Sequence, residues 1–211
     1  MAPPSHISFF MVQHGLVDCE TGMIPPYDAI LKEDQEALIS LAPHLPNGAD
    51  WHISPLTRAE DTAERLSKLI SAKSVTSEPL LEEQDFGDWH NKKEEEVFHD
   101  ITQRYKQSHP ISFLTADQRP PGGTSFQDIY LQVGLFLDAV IASAPHAPQL
   151  IIAHAGTIKA LLGHMMRLNA DQSLMIAIDH ASLTHADYIS HNNMPETVSP
   201  WHIKYVNFTV T

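Results

Sequence analysis

The sequence predicts an α/β fold, a three-layer sandwich with a mostly parallel central sheet. The first observation behind this prediction is that short apolar runs alternate with helical patterns of about 10 to 18 residues. The second is that two of the apolar runs end at a histidine close to a glycine, which suits a sharp exit from a strand. Because 211 residues with 43% hydrophobic content can form a full core without disulfides, we expect one domain over residues 1–211.

In the first half of the chain, the apolar pattern predicts three strands and three helices. The run at 7–12 is short, apolar and flanked by polar residues, as in a buried strand. Pro43 ends one helix, and Ser54 followed by Pro55 is predicted to be the N-cap and first residue of the next. The predicted strands are 7–12, 51–53 and a short segment around Val75, and the predicted helices are 32–42, 54–71 and 94–105.

The second half continues the alternation after a surface excursion. Pro, Ser, Gly and Thr are frequent from 107 to 123, so we expect a lid or specificity segment at about 94–125. Thr124 or Ser125 is predicted to cap a long helix that ends near Ala144. The remaining predicted elements are a strand at 150–153, a helix opened by Gly156, and short strands at 174–178, 184–190 and 202–209.

Charge and cysteine content exclude several classes of function. The chain carries 26 acidic and 13 basic residues, a formal net charge of -13, so we expect no nucleic-acid partner and no docking to anionic membranes. No uncharged apolar run is long enough to span a membrane. A single cysteine, Cys19, is typical of a reducing compartment, which predicts a cytoplasmic protein. A small anionic substrate is compatible with this composition.

Two histidines and an arginine are predicted to meet at one edge of the sheet. His14 and His154 each follow a buried strand, and sheets of this kind bind ligands at the carboxyl ends of their strands. Arg58 lies on the first turn of a helix, where backbone N–H groups also favour an anion. A neutral imidazole can attack phosphorus, so His14 is a candidate nucleophile. The loop after the third strand offers candidate proton donors, which are Glu82, Glu83, Asp85 and Asp88.

Five short motifs stand out along the chain. They are Gln13-His14-Gly15, Ser54-Pro55-Leu56-Thr57-Arg58-Ala59, the segment 81–89, Pro121-Gly122-Gly123-Thr124-Ser125 and Ala153-His154-Ala155-Gly156. In order and spacing they resemble the histidine phosphatase superfamily, in its phosphoglycerate mutase-like branch. The resemblance covers about residues 7 to 190 and is closest to alpha-ribazole phosphatases and related small-molecule phosphatases.

This resemblance implies a phosphoglycerate mutase-like fold and hydrolysis of a phosphomonoester on a small phosphorylated molecule, with no metal or other cofactor. It implies that His14 becomes phosphorylated and that Arg58 and His154 hold the phosphoryl oxygens. Glu83 is the implied proton donor, because the family's acid lies three residues before the aromatic residue of the Phe-Gly pair. The other residues implied in substrate binding are Gln13, Gly15, Ala155 and Gly156.

The chain departs from the family's motifs at several positions. The family's first motif reads Arg-His-Gly, but this chain has Gln13 in place of the arginine. A neutral hydrogen bond stabilises a phosphoryl oxygen less than a charged one does. Thr124 replaces the family's usual Glu, and Ala155 replaces a Gly beside the second histidine. We therefore expect an active phosphatase with an altered or weakened site.

These departures leave two alternatives to an active phosphatase. One is a family member without turnover that binds a phosphorylated ligand or a protein partner. The other is a metal-dependent activity that uses some of the 14 histidines, although none has the His-x-x-x-His spacing of a helical zinc site. The candidate ligands are His52, His90, His154, His180 and His185. The closing strands and Trp201 are compatible with a homodimer edge or with inward packing.

Overall fold

A computed structural model describes residues 5–105, 115–190, 195 and 197–210. Its strands are β1 (Ser5–Gln13), β2 (Ala49–Ile53), β3 (Ala72–Ser77), β4 (Gln149–Ala153), β5 (Leu183–Ser190) and β6 (Trp201–Phe208). They form one sheet in the order β3-β2-β4-β1-β5-β6. Strands β1 to β4 run parallel, and β5 is antiparallel to both of its neighbours. The predicted α/β class with a mostly parallel sheet is confirmed.

Six helices lie in the described residues. They are α1 (Glu36–Leu41), α2 (Thr57–Ser67), α3 (Glu94–Tyr105), α4 (Phe126–Ser143), α5 (Ala155–Met166) and α6 (Ala170–Leu174), with short 3-10 turns at Ala42–His44, Pro79–Leu81 and Gly87–Trp89. In this part of the chain, no helix has the length and apolar character needed to cross a membrane.

Helix α4 begins where its sequence predicts. The Ser125 side chain accepts from the Asp128 N–H, and the Asp128 carboxylate accepts from the Ser125 N–H, which completes a capping box. Ala144 ends the helix with a left-handed φ of 45°. Most of the proposed 94–125 segment is described, as α3 and residues 115–125, whereas residues 106–114 lie outside the described part.

Three predicted elements differ from the structure. The strand predicted at 174–178 is wrong, because α6, which begins with a capping box between Asn169 and Gln172, extends to Leu174, and no strand follows it until β5. Helix α1 begins at Glu36 instead of near residue 32, because the Gln35 amide donates to the Leu16 and Lys32 carbonyls and ties down the preceding turn. Helix α2 begins at Thr57, with no side-chain cap from Ser54.

Apolar clusters on both faces of the sheet produce the three layers. On one face, Phe9 and Ile151 pack under α4 and α5. On the other face, Val12 and Ile152 pack under α2 and the 3-10 turn that follows α1. Trp201 packs inward, with ring centroids 5.2 Å from Phe9 and 5.1 Å from Tyr188.

The neighbouring strands β1 and β4 bring the two histidine motifs together. Gln13 and Ala153 are partners in the parallel register, and the His14 N–H donates to the Ala153 carbonyl at 3.0 Å. Both strands therefore end at the same edge of the sheet. Because α2 follows β2 and α5 follows β4, the N-termini of these helices face that edge as well.

Candidate active site

The side chain of His14 is held at the carboxyl end of β1 and is only 5% exposed. Its Nδ1 lies 2.8 Å from the Gly15 carbonyl oxygen. Since a carbonyl oxygen accepts, Nδ1 carries the proton and Nε2 keeps its lone pair. The Gly15 N–H donates to Thr62 Oγ1 at 3.0 Å, which fixes this turn against α2. The arrangement leaves Nε2 unprotonated, as a hydrogen-bond acceptor.

Arg58 connects the two histidines from the first turn of α2. Its Nε donates to His14 Nε2 at 3.2 Å and to His154 Nδ1 at 3.1 Å. A terminal guanidinium nitrogen donates to the Tyr27 carbonyl oxygen. The Thr62 hydroxyl donates to the Arg58 carbonyl at 2.7 Å. An anion bound at His14 Nε2 would therefore meet the N–H groups of a guanidinium that is already oriented.

His154 is fully buried, and both of its ring nitrogens are engaged. Because Nδ1 accepts from Arg58, Nε2 carries the proton and donates to Ser54 Oγ at 2.7 Å. Ser54 therefore does not have the role of a helix cap that the sequence predicts. Ser54 instead orients the second histidine of the site.

Burial keeps both histidines neutral. Burial first and the Arg58 guanidinium second lower the pKa of His14 from 6.5 to about 3. The same two causes hold the pKa of His154 well below 6.5. In the free protein, Arg58 therefore supplies the positive charge beside His14. His14 is in the unprotonated form that a nucleophile requires.

The four candidate acids have different surroundings. Glu83 Oε2 accepts from the Gly156 N–H at 3.0 Å, at the first turn of α5. Glu82 accepts from the Tyr27 hydroxyl at 3.0 Å, Asp85 accepts from the Gly87 N–H at 2.7 Å, and Asp88 is exposed. Of the four carboxyl groups, that of Glu83 is thus the one bonded to the helix that follows His154.

Burial also gives Glu83 the electrostatics of a proton donor. Burial raises the pKa of its carboxyl above 4.5, although the Gln84 and Gly156 N–H groups and the Arg58 charge act in the opposite direction. A raised pKa keeps a carboxyl protonated to higher pH, and a protonated carboxyl can donate to a leaving oxygen. The geometry therefore favours Glu83 among the candidate acids.

We predict that Gly156→Ala displaces Glu83 and lowers turnover. A Cβ at Gly156 would overlap Glu83 Oε1, so the carboxyl must move from its position at α5. We expect kcat to fall about tenfold or more, with inhibition by inorganic phosphate largely kept. In a Glu83→Ala background the overlap is gone, so adding Gly156→Ala should cost little. Equal losses in both backgrounds would contradict this explanation.

The other residues implied in substrate binding lie around the same edge. The Gln13 amide is buried, and in the orientation that satisfies its neighbours its nitrogen donates to the carbonyls of Ile178 and Asp179 at 3.0 and 2.8 Å. Gly15 and Gly156 contribute the backbone N–H groups described above, and Ala155 opens α5. Gln13 thus belongs to the site's edge, but its amide is used to hold a loop.

Several residues that the fold brings to the site have no role there that the sequence predicts. Tyr27 reaches Arg58 through a backbone carbonyl, which no side-chain pattern could reveal. Thr62 lies one helical turn after Arg58, and this spacing could have predicted their contact. His180, considered only as a metal ligand, has its ring centroid 5.3 Å from that of His14. Its position just before β5 was the signal available.

A cavity of about 370 Å³ lies between α3 and α5, with Glu83 in its wall. Glu94 and Lys159 are its charged residues besides Glu83. Burial lowers the pKa of Lys159, whereas the nearby Glu83 raises it. The apolar lining includes Ile24, Phe86, Val97, Ile101, Phe126 and Leu174. The space fits a small organic group that is largely apolar and carries some polar atoms.

The histidines considered as metal ligands lie in different parts of the fold. His52 bonds to Gln149 at 2.8 Å, His90 bonds to the Pro25 carbonyl at 2.7 Å, and His185 stacks on Phe10. Within the residues that the structure describes, no three His, Cys, Asp or Glu side chains are grouped so that they could hold a metal ion. The geometry gives no support to the metal-dependent alternative.

Comparisons with protein families and with curated proteins both give matches. The model of the histidine phosphatase superfamily (branch 1) matches residues 32–199, a region that includes Arg58, Glu83 and His154 and begins after His14. The bifunctional protein Rv2228c of Mycobacterium tuberculosis is 30% identical over 135 residues, which are 64% of this chain and 36% of that protein. An uncharacterized protein of Mycobacterium bovis, Mb2253c, matches to the same extent. The match spans about a third of the length of these relatives.

Solved structures share the fold at low sequence identity. Mycobacterial hydrolase 2 superposes with a TM-score of 0.79 and 22% identity, over 98% of this chain and 92% of that one. A mycobacterial glucosyl-3-phosphoglycerate phosphatase gives 0.73 and 22%, over 96% and 99%. The alpha-ribazole phosphatase of Shigella flexneri gives 0.69 and 16%, over 96% of each chain. At this identity, the likeness concerns the fold alone.

Proposed function

The chain belongs to the histidine phosphatase superfamily, and from this we propose that it hydrolyses the phosphomonoester of a small phosphorylated molecule through a phosphohistidine at His14. The observation that carries the proposal is the contact of Arg58 Nε with His14 Nε2 and His154 Nδ1. It joins a neutral imidazole nitrogen and a permanent cation at one point. This is the combination needed to attack a phosphoryl group while its charge is stabilised.

In the first step, His14 Nε2 attacks the phosphorus atom. An N–P bond forms, the P–O bond to the leaving group breaks, and the proton of Glu83 passes to the leaving oxygen. Arg58 hydrogen-bonds the phosphoryl oxygens and moves off the His14 lone pair as they arrive. His14 Nδ1 keeps its proton on the Gly15 carbonyl, so the ring nitrogen that attacks is defined.

In the second step, a water molecule attacks the phosphohistidine. The Glu83 carboxylate left by the first step accepts a proton from this water, a P–O bond forms and the N–P bond breaks. Inorganic phosphate leaves, and Glu83 is again protonated. Neither step requires a metal ion, because Arg58 and the N-terminus of α5 supply the charge stabilisation.

The cavity beside Glu83 is proposed to receive the organic part of the substrate. Its apolar walls come partly from α3, in agreement with the expectation that the 94–125 segment sets specificity. Lys159 is available there for an acidic or hydrogen-bond-accepting group. Two structural neighbours are phosphatases of small metabolites, glucosyl-3-phosphoglycerate and alpha-ribazole phosphate by name, which supports a substrate of that size.

A second candidate function is binding of a phosphorylated ligand without turnover. It is favoured by Gln13, whose amide adds no charge and is engaged by loop carbonyls. Arg58 Nε also donates into the His14 lone pair in the free protein, which a ligand must displace before attack. A test must therefore separate binding from phosphate release.

The proposal predicts phosphate release from a panel of phosphomonoesters, including an aryl phosphate, in the presence of a chelator. Stopping the reaction with denaturant should trap a phosphoenzyme that is stable in base and hydrolyses in acid, as expected for an N–P bond. The measurements are released phosphate and bound ³²P per protein chain. No turnover across the panel, together with inorganic phosphate binding, would support the binding function instead.

A further inference from the structure

His180 lies beside the nucleophile, although it comes from the segment between α6 and β5. Its ring centroid is 5.3 Å from that of His14 at an interplanar angle of 64°, nearly matching His154 at 5.1 Å and 61°. Unlike those two residues, His180 is exposed. A third imidazole thus stands at the rim of the site, where a ligand of His14 would arrive.

Gln13 forms hydrogen bonds with the segment that contains His180. Its amide nitrogen donates to the carbonyls of Ile178 and Asp179 at 3.0 and 2.8 Å, and its own N–H donates to the Ser182 carbonyl at 3.2 Å. The Ala181 N–H donates to the His14 carbonyl at 3.1 Å. Gln13 and the nucleophile His14 thus hold the turn on both sides of His180.

The backbone of this turn shows that the position is specified. Ala181 has a φ of 52°, in the left-handed region that alanine rarely adopts. Such a conformation persists only where surrounding bonds hold it. The bonds that hold it come from Gln13 and His14 and from the side chain of Asn207, which bonds to the N–H and the carboxylate of Asp179, so the surrounding structure outweighs the local preference of alanine. Its effect is to bring His180 to His14.

A phosphoryl group at His14 needs a further hydrogen-bond donor, which the His180 ring can supply. A phosphoryl group carries close to two negative charges, and Arg58 is the permanent cation in contact with His14. Among the described residues, no group hydrogen-bonds to the His180 ring, which therefore has donor capacity to spare. A histidine N–H at the rim can meet a phosphoryl oxygen that Arg58 does not reach.

We propose that His180 is a phosphoryl-binding residue, whose ring N–H donates to an oxygen of the phosphoryl group at His14, and that Gln13 is its positioning residue. This inference rests on the proposed function of the same site. Although the residue is exposed, partial desolvation of its ring lowers the pKa of free His180, as does the Arg58 charge, whereas Asp179 raises it. A bound phosphate dianion would raise it further, so the ring would bind its ligand most strongly as a cation.

The first test compares His180→Ala with the wild type, and with His146→Ala as a matched histidine control on an exposed loop. We expect kcat/KM for an aryl phosphate to fall about tenfold or more, and the inhibition constant of inorganic phosphate to rise by a similar factor. His180→Asn, which keeps a neutral donor, should recover part of the loss. His146→Ala should match the wild type.

An NMR titration provides a readout that a structural role would not move. Saturating inorganic phosphate should raise the pKa of the His180 imidazole by about one unit or more, with the signal assigned from its loss in His180→Ala. This titration needs no turnover, so it decides the proposal even if the protein proves inactive. A His180 pKa unaffected by bound phosphate, or unchanged phosphate inhibition in His180→Ala, would overturn it. If His14→Ala loses activity and His180→Ala keeps it, the phosphatase proposal stands and only the role of His180 is overturned.

The positioning role of Gln13 is tested by a double-mutant cycle. Gln13→Met keeps the length of the side chain but removes the donor to the Ile178 and Asp179 carbonyls. In the wild-type background we expect a loss of kcat/KM close to that of His180→Ala, and in the His180→Ala background little further loss. Additive losses would show that Gln13 acts independently of His180 and would overturn this part of the proposal.

Discussion

His14→Ala is expected to reduce phosphate release by at least about a thousandfold, because it removes the atom that forms the covalent bond. The buried imidazole of His154 cannot replace it. His154 Nε2 is engaged by Ser54 and its Nδ1 by Arg58, within fully buried surroundings. The rates of phosphate release and the yield of trapped phosphoenzyme should therefore both fall to background.

Folding of the His14→Ala variant is checked by its unfolding at several pH values. In the wild type the folded pKa of His14 is about 3, below the unfolded value of 6.5. The unfolded chain thus binds more protons between these values, and His14 contributes a loss of stability as pH falls from 6.5 towards 3. The variant lacks this contribution, so its stability relative to wild type should improve at about pH 5. An inactive variant that shows this trend is folded.

Two outcomes would contradict the assignment of His14. One is turnover within about tenfold of the wild type, which would require another nucleophile or direct attack by water. The other is a trapped phosphoenzyme in the variant, which would identify the other nucleophile by its position in a digest. The control is His146→Ala, on an exposed loop. Loss of this histidine should change neither the rate of phosphate release nor the yield of trapped phosphoenzyme.

The sequence was most informative where a short motif lies at the end of a predicted strand. His14, Arg58 and His154 were expected to meet because parallel strands end at one edge, and the structure brings them within hydrogen-bonding distance. The fold class followed from the same alternation of strands and helices. These features depend on periodicity and chain order, which are local properties of a sequence.

The errors arose where a distant partner decides what a residue does. Ser54 before Pro55 has the pattern of a helix cap, but its hydroxyl oxygen accepts a hydrogen bond from His154, a hundred positions later. The segment 174–178 is a short apolar run, as in a buried strand, yet Asn169 caps a helix that ends at Leu174. Gln13 reads as a weaker phosphate ligand, but its amide bonds to carbonyls near residue 178. Such contacts form only when the sheet assembles.

Choosing among the carboxyl groups also required the fold. Glu82 and Glu83 are adjacent in sequence, and only a family motif separated them at that level. In the structure Glu82 bonds to the Tyr27 hydroxyl, whereas Glu83 bonds to the Gly156 N–H on the helix that follows His154. Burial of Glu83 then raises its pKa. A large effect is therefore expected from removing the Glu83 proton, and a small one from Glu82.

Glu83→Gln should separate the two steps of the reaction. Glutamine keeps the size and can accept from the Gly156 N–H, but it cannot donate an acidic proton. For alkyl phosphates, whose leaving oxygen must be protonated, we expect phosphate release to fall about 100- to 1,000-fold. For an aryl phosphate, whose leaving group departs unaided, we expect a burst of about one equivalent of phenol followed by slow turnover. The burst marks a phosphohistidine that now lacks the base for its hydrolysis.

The pH profile of the same variant tests the proton itself. In the wild type, the phosphorylation of His14 by alkyl phosphates should slow as pH rises through the pKa of Glu83, because the carboxylate cannot donate; burial raises that pKa, so the limb lies above pH 4.5. Glu83→Gln should lose this limb, whereas the matched control Glu82→Gln should keep the limb and the wild-type rate. The proton donor must be the group whose titration produces this limb. A limb that remains in Glu83→Gln, or one that disappears in Glu82→Gln, would therefore show that another residue is the donor.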